Sequence, residues 1–373
     1  MHGIAPAGQA QRQTTVGIIA NPVSARDIRR VVANANSLQL ADRVNILLRL
    51  LAALGSCGIA RVWMMPDREG LRPMLRRHLD RLHASADEGT LLPQVAWLEM
   101  PVTGSVEDSF RAARLLHEAG VAAIVVLGGD GTHRAVVREC GEVPIAGLST
   151  GTNNAYPEMR EATVAGLAVG LYAAGHIPDA VALAPNKRLD VRVNAGRADE
   201  RRDIALVDVA ISSEHFIGAR ALWKAETLSA VYLAYAEPES IGISAIGGLL
   251  APVGRREPGG LAIALAPDGR TRLRAPIAPG LVRPVSISGW HHLAGGVPCR
   301  VRQAGGVVAL DGEREIAFGA SDEVTVTLRE RAFHSIDVAA CMRHAAHAGL
   351  MRAEVPAPDI ASPTPRPLSR RQA

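Results

Sequence analysis

The segment from Leu127 to Val137 reads LGGDGTHRAVV, with Gly128, Gly129 and Gly131 around Asp130 and Thr132 closing the turn. An apolar run precedes it and a helical pattern comes after it. A strand that ends in a glycine turn and feeds a helix presents free backbone N–H groups at the helix's positive end, which suits a phosphate. A carboxylate inside such a turn repels phosphate unless it holds a proton, a metal ion or a hydroxyl being activated. Asp130 therefore reads either as a general base or magnesium organiser in phosphoryl transfer, or as an aspartate that stabilises a tight turn through the backbone. Arg134 reads either as charge for the phosphates or as a solvated first-turn arginine, and His133 as a loop residue. The glycine spacing is neither GxGxxG nor GxxxxGK[ST], which excludes a Rossmann or P-loop assignment.

Asp311-Gly312 has the chemistry of a hairpin turn, with Glu313 directly after it. Asp208 lies in a run of apolar neighbours, where a carboxylate needs a partner or a ligand. The pairs His291-His292 and His344 with His347 have no carboxylate set nearby and read as structural or solvated, so no metal-ligand set is expected. Cys57, Cys140, Cys299 and Cys341 are scattered without a CxxC pair, which fits a reduced, cytoplasmic setting.

The elements that position these residues can be placed by periodicity. The strand-like run TVGIIANP (Thr15–Pro22) precedes a helix at Ala41–Leu54, with Gly55 as its expected C-cap. Strands at Ile59–Met65, Gln94–Met100, Ala122–Leu127 and Val143–Leu148 alternate with helices at Leu71–Ala86 and Ser105–Ala119, the latter opening on a capping-box spacing of Ser105 and Asp108. Such alternation predicts a parallel sheet covered by helices. Beyond Pro185 the runs RLDVRVN, DIALVDVAIS, LAIALAP, VRPVSISG, CRVRQAGGVVALDGE and DEVTVTL predict antiparallel strands, followed by a helix at Ile336–Ala348. The implied organisation is a flexible leader (1–14), an α/β domain (15–185), an all-β domain (186–330), a segment with the last helix (331–353) and a disordered tail (354–373).

Composition narrows the function classes. With 373 residues the chain exceeds the usual limit of a single core, and 48% apolar against 21% charged residues makes it globular. Lys187 and Lys224 are the only lysines, and the net charge of +4 forms no basic stripe, which argues against nucleic-acid binding. No apolar run approaches the ~20 residues of a membrane span.

Taken in order, these segments resemble the superfamily of NAD kinases, diacylglycerol kinases and related lipid kinases. GGDGT comes after an apolar strand there, IANP (Ile19–Pro22) resembles the first strand, and STGTNNAYP (Ser149–Pro157) resembles the next loop. ALVDVAI (Ala205–Ile211), SAIGGLLAP (Ser244–Pro252, a turn in this reading) and APIAPGLVRPV (Ala275–Val285) are similar to the NAD-kinase branch. ALDGERE (Ala309–Glu315) carries the D-G-E typical of lipid kinases. The likeness spans roughly residues 16–346 and fits best with the acetoin catabolism protein X family, through ANPVSARDIRR, GGDGTHRAV and GTNNA.

The resemblance implies a doubly wound parallel-sheet domain, a C-terminal antiparallel β-sandwich and a last helix packed back on the first domain. It implies an ATP-dependent phosphotransferase acting on a hydroxyl, NAD kinase-like and linked to acetoin catabolism. The alternatives are a lipid or small-polyol kinase and a non-catalytic nucleotide-binding accessory protein. ATP and Mg2+ are the implied cofactors, the ion bound largely through water, with homo-oligomerisation through the β-domain. Asp130, Asp311 and Glu313 are then the catalytic candidates. Asn21, Gly128, Gly129, Gly131, Thr132, Gly151, Thr152, Asn153 and Asn154 would hold the nucleotide, and Asp208 and Arg134 the substrate. The chain departs from the family where Val207-Asp208 replaces an Asn-Glu pair, where Ile241 replaces a ring-contacting tyrosine and where Ala155 replaces the lipid branch's aspartate.

Overall fold

The computed structural model describes residues 14–21, 39–85, 92–150, 154–213 and 227–352. Strands β1 (Thr15–Ala20), β2 (Arg61–Met64), β3 (Gln94–Trp97), β4 (Ala123–Gly128) and β5 (Ile145–Ser149) alternate with helices α1 (Leu40–Ser56), α2 (Leu71–Ser85), α3 (Val106–Glu118) and α4 (Asp130–Glu139). β1 sits between β2 and β4, with Val16 opposite both Val62 and Ala123, and all these pairings are parallel. β4 is buried along its whole length, as its unbroken apolar run requires.

Local chemistry sets the helix ends. Gly55 lies inside α1; the left-handed glycine after it is Gly58, at φ +81°, where an L side chain would be strained. Ser105 caps α3 by accepting from Glu107 N, whereas Asp108 turns back to accept from the N–H groups of Thr103 and Gly104. The capping box is therefore replaced by a carboxylate that ties down the preceding turn.

The next helix, α5 (Ala162–Ala173), is absent from the periodicity reading because ATVAGLAVGLYA is apolar on every face. It packs against α1 so closely that a Cβ at Gly166 would lie 2.7 Å from Ala53 Cβ. The short α6 (Asp179–Ala182) leads into β6 (Leu183–Val193), β7 (Arg201–Ala205), β8 (Asp208–Ser212) and β9 (Leu228–Leu233). The expected turn at Ser244 is instead a short helix, α7 (Ser244–Leu250). The remaining elements are β10 (Gly260–Leu265), β11 (Thr271–Ala278), β12 (Leu281–Leu293), β13 (Pro298–Arg300), β14 (Gly306–Leu310), β15 (Glu313–Phe318), β16 (Val324–Ile336) and α8 (Val338–His347).

The strands form two sheets. The first has the order β3-β2-β1-β4-β5-β16-β6-β7 with β13 beside β16, and the second is antiparallel in the order β11-β12-β10-β9-β8-β14-β15. β16 joins β5 in parallel at Ser335 and Ile145, then pairs antiparallel with β6 from Leu183 to Val193. The expected boundary at residue 185 falls inside β6. The antiparallel end of the first sheet packs on the second, burying Leu189, Val191, Val326 and Leu328 against Val209, Ile211, Val308 and Leu310. α8 returns to the α/β half, where Cys341 and Ala345 join the core that contains Ala165 and Val169 of α5.

DIALVDVAIS, expected as one strand, is two strands in different sheets, broken at Leu206-Val207. Those two N–H groups leave the ladder to bind the Asp311 carboxylate. No described helix is long and apolar enough to cross a membrane.

Candidate active site

The glycine turn lies at the carboxyl end of β4, and Asp130 takes the first position of α4. Close approach explains the glycines. A Cβ at Gly128 would meet Thr132 Cβ at 2.6 Å, and one at Gly129 would meet Asn154 Oδ1 at 2.7 Å. The N–H groups of Thr132 and His133 both donate to Gly129 O at 3.1 Å. Thr132, His133 and Arg134 are all buried in the first turn.

Asp130 is occupied by the neighbouring loop. Its Oδ2 accepts from Ala155 N at 3.0 Å and its Oδ1 from Tyr156 N at 2.9 Å. The other side of that loop is held as firmly: Arg255 donates to Tyr156 O at 2.7 Å and to Ala155 O, and Tyr235 Oη–H donates to Ala155 O at 3.1 Å. Arg255 also pairs with Glu237 at 3.0 Å and lies 4.5 Å from the centroid of the Tyr235 ring. Burial raises the Tyr235 pKa well above its usual value, against the pull of Arg255, so this phenol stays a donor.

Asp311 comes from the other half of the molecule and is built in the same way. Leu310 pairs with Glu313 across a two-residue turn in which Asp311 has φ +50° and Gly312 φ +79°. Both central residues are left-handed, as in a type I′ hairpin. The Asp311 carboxylate is fully buried and accepts from Leu206 N at 3.0 Å, Val207 N at 2.8 Å and Asp208 N at 3.3 Å. Burial pushes its pKa up to about 7; Arg134 lowers it and Asp130 raises it. Arg134, only 4% exposed, lies 3.3 Å from Asp203 and 4.0 Å from Asp311. It is neither solvated nor open to solvent phosphate; its charge is set against two carboxylates. Asp208 is likewise buried, at the start of β8, and its carbonyl accepts from Asp311 N at 2.9 Å.

Glu313 comes directly after this turn and is half-buried, and its side chain makes no hydrogen bond or ion pair among the described residues. A Cβ at Gly131 would lie 3.4 Å from its Oε1. The hairpin of the second sheet thus lays one carboxylate over the glycine turn of the first.

Asn21, at the end of β1, donates from Nδ2 to Ser109 Oγ at 3.2 Å, and its carbonyl accepts from Arg43 at 2.9 Å. Asn154 Nδ2 donates to Ser149 Oγ at 2.8 Å, which joins its loop to β5. Pro22, Gly151, Thr152 and Asn153 lie outside the described residues. His133 is fully buried, and its contact of 2.9 Å with Gly129 O places a proton on Nδ1. Burial lowers its pKa to about 4, so the ring is neutral at pH 7. His291 and His292 are exposed on β12, and His347 is exposed on α8.

Sequence reasoning missed Asp203, Tyr235, Glu237 and Arg255. No local pattern marks them, because their partners are distant in the chain. Together these elements can cradle phosphates with backbone N–H groups and offer Glu313 as a proton acceptor. The donor set suits magnesium held mainly by phosphate and water, because Asp130 and Asp311 spend oxygens on the backbone. Among the described residues, no group of three or more His, Cys, Asp or Glu side chains could hold a metal by itself.

A family model described as ATP-NAD kinase N-terminal domain matches residues 16–177, and one described as acetoin catabolism protein X C-terminal domain matches residues 158–331. A curated relative, "Acetoin catabolism protein X" of Cupriavidus necator, is 68% identical over 352 residues, which cover 94% of this chain and 97% of that protein. Among solved structures, yeast NADH kinase complexed with NADH aligns with a TM-score of 0.45 at 14% identity, covering 92% of this chain and 90% of the other. A putative diacylglycerol kinase from Bacillus anthracis aligns at 0.43 and 13% identity, covering 88% and 98%.

Proposed function

The chain belongs to the acetoin catabolism protein X family, and from that premise we propose that it is an ATP-dependent phosphotransferase that phosphorylates a hydroxyl, with NAD as acceptor and NADP as product, in acetoin catabolism. One observation carries this reading: Glu313 reaches over Gly131 from the other half of the molecule and has no other partner among the described residues. That is where a base must stand to meet a hydroxyl brought to a phosphate cradle.

The turn at Gly128–Gly131 offers its backbone to the phosphates; Thr132 and Asn154 fill the space beside Gly128 and Gly129 and brace the turn, and Gly131 faces Glu313. Asn21 and Asn154 join the strand ends around the nucleotide. Glu313 accepts the hydroxyl proton as the oxygen attacks the terminal phosphorus, whose bond to the bridging oxygen breaks and leaves ADP. Magnesium, when bound, neutralises charge on the phosphates. Asp130 and Asp311 act as positioning residues: the first holds the loop at Ala155 and Tyr156, the second holds the hairpin that carries Glu313. Asp208 and Arg134 are buried against Asp311 and brace this hairpin.

The test is ADP release by purified protein with ATP and magnesium against NAD, diacylglycerol and small polyols. NADP formation lost in Glu313→Gln, with ATP binding retained, supports the reading. Turnover with a polyol or lipid alone would move the acceptor to the lipid-kinase type. Nucleotide binding without turnover on any acceptor would overturn catalysis in favour of an accessory role.

A further inference from the structure

A cleft of about 430 Å³ lies where α6, the start of β6, the segment from Arg255 to Pro258, the irregular stretch of β16 and the first turns of α8 meet. That is the volume of a small-ligand site. Cations from four separate elements line it: Lys187 on β6, Arg255 after α7, Arg331 on β16 and Arg343 on α8. Arg256 lines it too, but pairs with Asp337.

The donors at the base of the cleft are only partly used. Lys187 is 5% exposed, and its Nζ donates to Gly254 O at 2.9 Å and Gly259 O at 2.7 Å, which leaves one of its three N–H groups. Arg255 commits three of five N–H groups to Glu237, Tyr156 O and Ala155 O. Arg331 and Arg343 form no ion pair among the described residues. The acids that share the cleft are engaged nearby: Asp337 caps α8 at Ala340 N, Glu257 accepts from Gly254 N and Glu330 from Gly259 N. Five cations against three carboxylates leave the lining with an excess of positive charge, and a buried ammonium with a spare donor and two guanidinium groups without ion pairs among the described residues can receive an anion.

We propose that this cleft is a second anion site, separate from the glycine turn, which takes a compact ligand with two or three negative charges. Lys187 and Arg255 form its floor, and Arg331 and Arg343 its mouth. Arg255 also ties the site to the phosphate loop, because the Ala155 and Tyr156 units whose carbonyls it holds give their N–H groups to Asp130.

Calorimetric titration of the full chain with citrate, and separately with inorganic pyrophosphate, tests this at low ionic strength. At least one probe should bind once per chain in the presence of saturating ATP. That binding should weaken at least ten-fold in an Arg331→Glu/Arg343→Glu variant that melts like the parent, or in Arg343→Gln if the double reversal does not fold. Binding of citrate alone assigns carboxylate chemistry, and of pyrophosphate alone, phosphate chemistry. Displacement of both probes by ATP, binding unchanged by the substitutions, or binding of neither probe overturns the proposal. Loss of kinase turnover would leave these titrations unaffected, so the two readings fail separately.

Discussion

Two of the molecule's Asp-Gly turns face each other across its halves. Asp130-Gly131 opens a helix after a parallel strand, and Asp311-Gly312 closes an antiparallel hairpin. In both, the carboxylate accepts N–H groups from a distant segment, at Ala155-Tyr156 in one case and at Leu206-Val207-Asp208 in the other. They differ in the residues on their C-terminal side. After the first come Thr132, His133 and Arg134, all buried, whereas after the second comes Glu313, half-buried and aimed at the opposite turn. An identical dipeptide therefore builds a cradle on one side and presents a base on the other, and the aspartates are the fastenings of both.

Three pairs of substitutions bear on this contrast. Glu313→Gln should lower turnover by about 10²–10⁴-fold, the usual worth of a general base, with an unchanged denaturation midpoint. Asp130→Asn should instead lower the midpoint and loosen the loop around Tyr156, seen as faster amide exchange at Ala155 and Tyr156. Equal effects of the two on stability would erase the division of labour between them. Next, Asp311→Ala should cost about 3–5 kcal/mol in urea unfolding, because it orphans buried backbone donors at Leu206 and Val207 and removes the more distant of the two carboxylates beside Arg134.

The Asp311 pKa of about 7 gives that turn a pH signature. The folded state holds this proton more tightly than the unfolded chain does, so Asp311 adds a falling component to stability between about pH 4 and pH 7. The component is absent below the unfolded pKa and complete above the folded one. Stability measured against pH should lose that slope in Asp311→Asn, and an unaltered profile would refute the assignment.

The smallest effects separate the glycines. Gly312 has φ +79°, so Gly312→Ala should destabilise by about 1–2 kcal/mol. Gly131 is not in the left-handed region, and Gly131→Ala should leave stability within about 0.5 kcal/mol while impairing nucleotide binding. Thermal midpoints compared with ATP titrations distinguish the two.

How much could be read from the sequence depends on the range of the forces involved. The βα alternation up to β5 was legible because strands buried on both faces and helices with one apolar face carry local periods. α5 was not, since apolar residues occupy every face, the exposed Val164 included, and no polar face marks its period. The break between β7 and β8 was hidden for a different reason: it is imposed by Asp311, about a hundred residues later. The site divides in the same way. Gly128, Asp130 and Glu313 announce themselves by turn chemistry and by resemblance. Arg255, Tyr235 and Asp203 have no local pattern, because their roles arise only when distant segments are brought into contact.

β6 and β16 pair along almost their entire lengths, and β16 also carries the ladder to β5. The parallel and antiparallel parts of the first sheet are consequently joined by a hydrogen-bonded seam, interrupted at the irregular stretch between Arg329 and Phe333. Glu313 stands on the second sheet, which meets this seam through packed side chains, Leu189 and Val326 against Val209 and Val308, so the distance between the glycine turn and Glu313 is set by that apolar contact.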